Sequence, residues 1–183
     1  MYLYNKGCMN LQELDKTIRR IPDFPVKGIL FYDITGMLAN PQAFQFVVDS
    51  MIDLYKDKSI EAVAAVEARG FLIGAPFAYR LGLPLIPIRK SGKLPGVTMK
   101  ASYQLEYGRA EVEVHQGDIP AGKKMLLVDD LIATGGTLAA CASLLEGGGA
   151  HIQGIFGVVG LDSLPYKEAL SKYPLSTLLS YTD

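Results

Sequence analysis

The sequence predicts an α/β fold, a mainly parallel sheet flanked by helices on both faces. Three observations carry that expectation. Continuous apolar runs at Ala62 to Val66, Leu85 to Ile88, Met125 to Val128 and Ile152 to Val159 read as strands buried on both sides. Segments with helical spacing, Phe71 to Leu81 and Thr137 to Glu146, alternate with them. Polar clusters follow three of these strands, and ligands of parallel sheets bind beyond the strands' carboxyl ends. A chain of 183 residues is expected to form a single domain around one core.

The elements follow in order. Residues 1–8 carry no helical pattern and are expected to be a disordered or non-native extension. Asn10 to Ile21 predicts an amphipathic helix through Leu11, Leu14 and Ile18, capped by Asn10 with Glu13 at the capping-box position. The prolines of Pro22-Asp23-Phe24-Pro25 end it, and Ile29 to Tyr32 is a short strand. Pro41 to Lys56 predicts a helix with Phe44, Val47, Val48, Met51, Ile52 and Tyr55 on one face. Residues 90–100 hold glycine and proline breakers. Ser102 to Leu105 and Ala110 to His115 read as a hairpin around Tyr107-Gly108. The triple glycine Gly147 to Gly149 ends the last long helix, Pro165 to Lys172 adds a short one, and Ser176 to Ser180 a final strand.

Composition narrows the function classes. A formal net charge of −1 offers no global attraction to nucleic acid or membrane, and neither is expected as a partner. No apolar run reaches spanning length. The two cysteines, Cys8 and Cys141, make no disulfide framework, and two histidines leave a zinc site short of ligands. A reducing, cytoplasmic setting is expected.

The densest chemistry lies in Lys123 to Thr137. An apolar run ends in adjacent carboxylates, Asp129 and Asp130, and Ala133-Thr134-Gly135-Gly136-Thr137 then leads into a helix. Free N–H groups at a helix start bind phosphate, glycines let the backbone close on it, and threonines add hydroxyl donors. The carboxylates cannot favour the phosphate, but they can accept from sugar hydroxyls or face a divalent cation. A phosphorylated ribose satisfies both halves. An ordinary strand–turn–helix corner would use similar residues, and the double aspartate tilts the reading toward a site. No Gly-Lys-Ser/Thr follows, so this is not a P-loop. Arg69 in Glu67-Ala68-Arg69-Gly70 opens a helix after one strand and suits a second anion. Arg89, Lys90 and Lys93 stand among glycines and a proline, either as a solvated loop or as a lid over a polyanion.

The Lys123 to Thr137 segment resembles the phosphoribosyl-diphosphate (PRPP) motif of the type I phosphoribosyltransferases. The strings Arg-Lys-Ser-Gly-Lys-Leu-Pro-Gly at 89–96 and Ser-Tyr-Gln-Leu-Glu-Tyr-Gly at 102–108 resemble the branch of that family that uses adenine. The likeness runs from about Ile18 to the C-terminus. It implies transfer of the 5-phosphoribosyl group from PRPP to adenine, giving AMP and pyrophosphate with Mg2+, in a homodimer. By position, Ala133 to Thr137 would hold the 5′-phosphate and Asp129 and Asp130 the ribose. Arg69, Arg89, Lys90 and Lys93 would meet the diphosphate, partly across the dimer. Glu106 would handle the purine N7 proton, in a flexible hairpin lid. A hood over residues 9–36 would cover the base, with Phe31 stacking, Leu30 and Tyr32 reading its edge by their backbones, and Leu161 as an apolar wall. Tyr32 departs from a family pattern that often has arginine there. The magnesium is expected to bind mainly through PRPP, with no dedicated protein ligand. A 6-oxopurine substrate is the nearest alternative, disfavoured because no lysine falls in the base pocket. A PRPP-sensing regulator of nucleic acid is the other, disfavoured by the near-neutral charge.

Overall fold

The computed structural model describes residues 9–104 and 109–182. These fall into two compact units, one closing at Ser50 and the other opening at Met51.

The first unit begins with α1 (Leu11–Asp15). The Asn10 side chain accepts from the Glu13 N–H, and the Glu13 carboxylate accepts from the Asn10 N–H, each at 3.0 Å. The capping box starts the helix as its sequence predicts, but the helix does not reach Ile21. The Thr17 hydroxyl donates to the Leu14 carbonyl at 2.7 Å, and the chain then extends as β1 (Arg19–Pro22). This strand pairs antiparallel with β2 (Leu30–Asp33), Ile21 lying opposite Phe31. Long-range pairing overrides a local helical pattern here, although Leu14 and Ile18 are both buried as that pattern requires. A short α2 (Thr35–Leu38) was not expected. It starts under Asp33, whose carboxylate accepts from the Thr35 N–H at 2.9 Å and the Thr35 hydroxyl at 2.7 Å. These bonds, the Thr35 amide first, hold the Asp33 carboxyl below its ordinary range. Asn40 accepts from the amides of Gln42 and Ala43 and opens α3 (Pro41–Tyr55), along which the division between the units falls.

The second unit contains β3 (Ala62–Val66), α4 (Arg69–Leu81), β4 (Leu85–Lys90), β5 (Thr98–Gln104) and β6 (Arg109–His115). There follow β7 (Lys124–Ile132), α5 (Gly136–Gly147), β8 (His151–Leu161), α6 (Tyr166–Ala169) and β9 (Leu175–Tyr181). One seven-stranded sheet runs β5-β6-β4-β3-β7-β8-β9. β4, β3, β7, β8 and β9 are mutually parallel, while β6 is antiparallel to both β4 and β5. The result is the α/β class read from the sequence, with one antiparallel edge. Ala62 to Val66 is buried throughout, as a continuous apolar run between covered faces requires. Leu138, Cys141, Ala142, Leu144 and Leu145 of α5 join strand residues such as Ala64, Ile88 and Leu127 in the core.

Two boundaries differ from the sequence reading in ways that shape the site. β5 begins at Thr98, because pairing with β6 extends back to Thr98 opposite His115. β7 does not end at Val128 but runs to Ile132, with Asp129 opposite Gly157 and Leu131 opposite Val159 on β8. The acidic pair is therefore part of a strand rather than the start of a loop. An apolar pattern could not reveal this, since ladder hydrogen bonds carry the strand through charged positions.

Candidate active site

β4, β3 and β7 are neighbours in the sheet and run the same way, so their carboxyl ends lie side by side. β4 runs out through Arg89 and Lys90, β3 leads into Glu67-Ala68-Arg69, and β7 leads into the Thr134 to Thr137 turn. Segments far apart in sequence thus meet at one edge of the sheet.

The turn after β7 is built by close packing. Gly135 precedes α5 with φ 82°, a left-handed conformation that a side chain resists. A Cβ there would lie 3.2 Å from atoms of Tyr166, Ala169 and Leu170, so α6 abuts the turn directly. No side chain caps α5, and the first-turn amides have no intrahelical partner. Beside them opens a cleft lined by Asp129, Leu131, Ile132, Ala133, Thr134, Gly135, Thr137 and Leu138. A helix start with amides and hydroxyls at the wall of a cleft is suited to a phosphate group.

The two aspartates are not equivalent. Asp129 lines the cleft, and its Oδ1 accepts from the Asp130 N–H at 2.9 Å. Asp130 is buried, and its Oδ2 pairs with Arg69 Nε at 2.8 Å. Loss of water, and then the adjacent Asp130 carboxylate, push the Asp129 carboxyl well above its ordinary range. Such a group is a poor resident anion and gains from a donor or a positive centre brought by a ligand. Gly70 permits this packing: a Cβ on it would lie 2.9 Å from the Val128 carbonyl oxygen and 3.1 Å from Asp129 Oδ1.

The basic segment is held by carboxylates. Arg89 Nε donates to Glu67 Oε2 at 2.8 Å, and the Lys90 N–H reaches the same oxygen at 3.3 Å. Ser91 Oγ donates to Glu111 at 2.6 Å. The Lys93 N–H donates to Glu113 at 2.7 Å, and the Lys93 carbonyl accepts from Arg89 at 3.2 Å. Glu67, Glu113 and Gly70 were not singled out by sequence reasoning. The alternating Glu111-Val112-Glu113-Val114 of a hairpin signals one polar and one apolar face, but not that Glu113 is buried beneath a loop.

The remaining expected residues are distributed as follows. Leu30, Phe31 and Tyr32 form β2 of the first unit, where Phe31 packs edge-on against Phe24 with ring centroids 5.0 Å apart. Leu161 ends β8 in the second unit and is half-buried. Glu106 lies outside the described residues. Among the described residues, no group of three or more His, Cys, Asp or Glu side chains is placed to hold a metal ion. Burial pushes the Cys141 thiol far up, so it is an inert packing group.

A cleft with a phosphate-ready helix start, the Asp129 carboxylate in its lining, and Arg69 and Arg89 at the ends of the neighbouring parallel strands suits a sugar with anions at both ends. The mixed sheet around it has the fold of the type I phosphoribosyltransferases. The profile of the phosphoribosyl transferase domain matches residues 34–174. An adenine phosphoribosyltransferase of Treponema denticola is 61% identical over 168 residues, covering 92% of this chain and 88% of that protein. The crystal structure of the Thermoanaerobacter pseudethanolicus adenine phosphoribosyltransferase superposes with a TM-score of 0.91 at 41% identity, covering 94% of this chain and all (100%) of the other. The Saccharomyces cerevisiae adenine phosphoribosyltransferase, solved with an imino-altritol bisphosphate and adenine, gives 0.87 at 39% identity, covering 92% and 98% of the two chains. The chain belongs to the adenine phosphoribosyltransferases.

Proposed function

We propose that this chain transfers the 5-phosphoribosyl group of PRPP to adenine, giving AMP and pyrophosphate, in purine salvage. Family membership supports the reaction. The observation that carries it is that β4, β3 and β7 are parallel neighbours ending side by side, with Arg69 paired to Asp130 and a cleft at the Asp129 turn.

The chemistry follows from that layout. The amides and hydroxyls from Ala133 to Thr137 hold the 5′-phosphate. Adenine N9 bonds to C1′ while the C1′–O bond breaks and its electron pair leaves with the diphosphate. Positive charge builds on the ribose in between. Asp129, whose carboxyl is pushed well above its ordinary range by loss of water and by Asp130, is stabilised as an anion by the ribose hydroxyls and by that developing charge. Arg69, Arg89, Lys90 and Lys93 take up the charge of the leaving diphosphate. Glu106 accepts the N7 proton of the base. Phe31 stacks on the purine, the backbones of Leu30 and Tyr32 read its edge, and Leu161 walls it. The donor set fits a magnesium ion that arrives with its diphosphate, since Mg2+ binds through one or two carboxylates plus substrate phosphates. When bound it neutralises the leaving group. We further propose a homodimer in the cytoplasm. Among the described residues, no helix is long and apolar enough to cross a membrane.

The test is pyrophosphate release from PRPP and magnesium, with adenine, hypoxanthine, guanine or orotate supplied separately. Release with adenine alone is expected. Release with another base would keep the PRPP site and overturn the base pocket. In the same assay, Glu106→Ala is expected to lower kcat by about 10²- to 10⁴-fold, the usual range for a general acid–base group. Unchanged turnover would remove Glu106 from the chemistry.

A further inference from the structure

Glu113 and Asp130 are the two buried charged side chains among the described residues. Asp130 pairs with Arg69, next to the cleft-lining Asp129. Glu113 is used by nothing in the reaction described above. A buried carboxylate is costly unless its oxygens are satisfied, so its partners indicate what it is for.

Those partners belong to the loop between β4 and β5 and to β5 itself. Glu113 sits on β6, opposite Arg89 of β4 on one side and Lys100 of β5 on the other. The segment joining β4 to β5 passes over it. Glu113 Oε1 accepts the N–H groups of Lys93 at 2.7 Å and Leu94 at 2.8 Å. Oε2 accepts from the Thr98 hydroxyl at 3.4 Å and lies 3.7 Å from Lys100 Nζ. On the other side of the same residue, Arg89 donates to the Lys93 carbonyl. The Lys93 backbone is therefore gripped at both ends, its N–H by Glu113 and its C=O by Arg89. The loop's glycines stand in open space, for a Cβ built on Gly92 or Gly96 would meet nothing within 4 Å. The loop's shape is set by hydrogen bonds to anions, and such charge-assisted bonds are roughly twice as strong as neutral ones.

We propose that Glu113 is a positioning residue for the diphosphate side of the reaction: an anionic staple that fixes the Lys93 backbone and so aims the Lys93 ammonium at the leaving group. It rests on the reading of Lys93 as a diphosphate ligand. The two loop amides, Leu94's first among the causes, hold the Glu113 carboxyl below its ordinary range, which keeps the staple ionised at neutral pH.

The test compares Glu113→Gln, Lys93→Ala and the double variant in the full chain. The readouts are PRPP and adenine kinetics, and calorimetric affinity for pyrophosphate with magnesium. Glu113→Gln keeps the shape and removes the charge. It is expected to raise KM for PRPP and Kd for pyrophosphate about tenfold, leaving KM for adenine within about twofold. In the Lys93→Ala background it should add no more than about twofold, because the two act in series. A tenfold loss that persists without the Lys93 ammonium would overturn the staple, as would equal losses for adenine and pyrophosphate. If Lys93→Ala leaves pyrophosphate affinity intact, the reading of Lys93 fails and the proposal with it. If Lys93→Ala weakens binding but Glu113→Gln does not, only the staple fails. Should Glu113→Gln not fold, Glu113→Asp keeps the charge but withdraws it from the amides by one methylene, and wild-type pyrophosphate affinity there would also overturn the proposal.

Discussion

The turn between β7 and α5 and the loop between β4 and β5 both offer donors to anions, yet opposite forces hold them. In the turn, a Cβ on Gly135 would lie 3.2 Å from atoms of Tyr166, Ala169 and Leu170, and one on Gly70 only 2.9 Å from the Val128 carbonyl oxygen. In the loop, Gly92 and Gly96 have nothing near them, and Glu67, Glu111 and Glu113 supply the ties. Packing fixes a shape before any ligand arrives, because close-packed interiors deform only in discrete steps. Hydrogen bonds to carboxylates fix a shape that a competing anion can loosen and re-form. The difference matches the two ends of the proposed substrate. A 5′-phosphate that stays attached throughout the reaction needs a rigid seat. A diphosphate that must depart is better served by a segment that can let go.

The largest expected effect comes from disturbing the packed turn. Gly135→Ala adds a Cβ at φ 82°, against atoms of Tyr166 and Ala169 in α6 and of Leu170 just after it. The backbone conformation costs about 1–2 kcal/mol, and the crowding about 1–3 kcal/mol more. Thermal unfolding should show Tm lowered by roughly 5–15 °C for a chain of this size. PRPP saturation should show kcat/KM reduced by about 100-fold or more, since a 1 Å displacement of a positioning element costs that much. Wild-type values for both would mean that the turn is not preset by packing.

Asp129→Asn is next, and it separates stability from activity. The amide oxygen can still accept from the Asp130 N–H, while the negative charge is gone. The folded-state pKa of Asp129 is raised, so the folded protein holds a proton that the unfolded chain releases between the ordinary carboxylate value and the raised one. Stability is therefore lost as pH rises through that window and stays lost above it. At neutral pH the variant should melt a few degrees higher than wild type, by about 1 kcal/mol, and the gap should close on acidification. Its kcat should fall by about 100-fold, as for loss of one preorganised electrostatic group. A variant that melts lower at pH 7 would show that the carboxylate is already well satisfied in the empty cleft.

How much of this was legible depends on the range of the interaction. The buried strands from Ala62 and Met125 could be read from local apolarity, and the helix after Gly136 from its spacing, because both signals are contained in the segment. The phosphate-ready turn could be read as well, since glycine and threonine act through their own backbone and hydroxyl. β1 could not, because it exists only by pairing with β2, and its sequence continues the helical spacing of Leu14 and Ile18. The extension of β7 through Asp129 and Asp130 depends on β8 in the same way. Glu113 was illegible for a further reason. Its burial is created by a loop that crosses over it from nineteen residues away (Leu94) and twenty residues away (Lys93). The roles of Glu106 and Phe31 came from resemblance alone, since a charge in a hairpin and an aromatic in a short strand have many bland explanations.

The smallest expected effect is also the cleanest control. Gly92 has φ 83°, nearly the value at Gly135, but open space where its Cβ would go. Gly92→Ala and Gly135→Ala therefore impose the same backbone penalty, about 1–2 kcal/mol locally, and differ only in packing. In the loop that penalty falls on a segment outside the core, so Tm should move by no more than about 2 °C. KM for PRPP should rise by about two- to fivefold, because the strain opposes the conformation that the Glu113 bonds select. Subtracting the Gly92 result from the Gly135 result gives what close packing and coupling to the core contribute together at the turn. Equal Tm losses at the two positions would mean that backbone conformation alone accounts for both. The contrast between a packed seat and a tied loop would then have no energetic content.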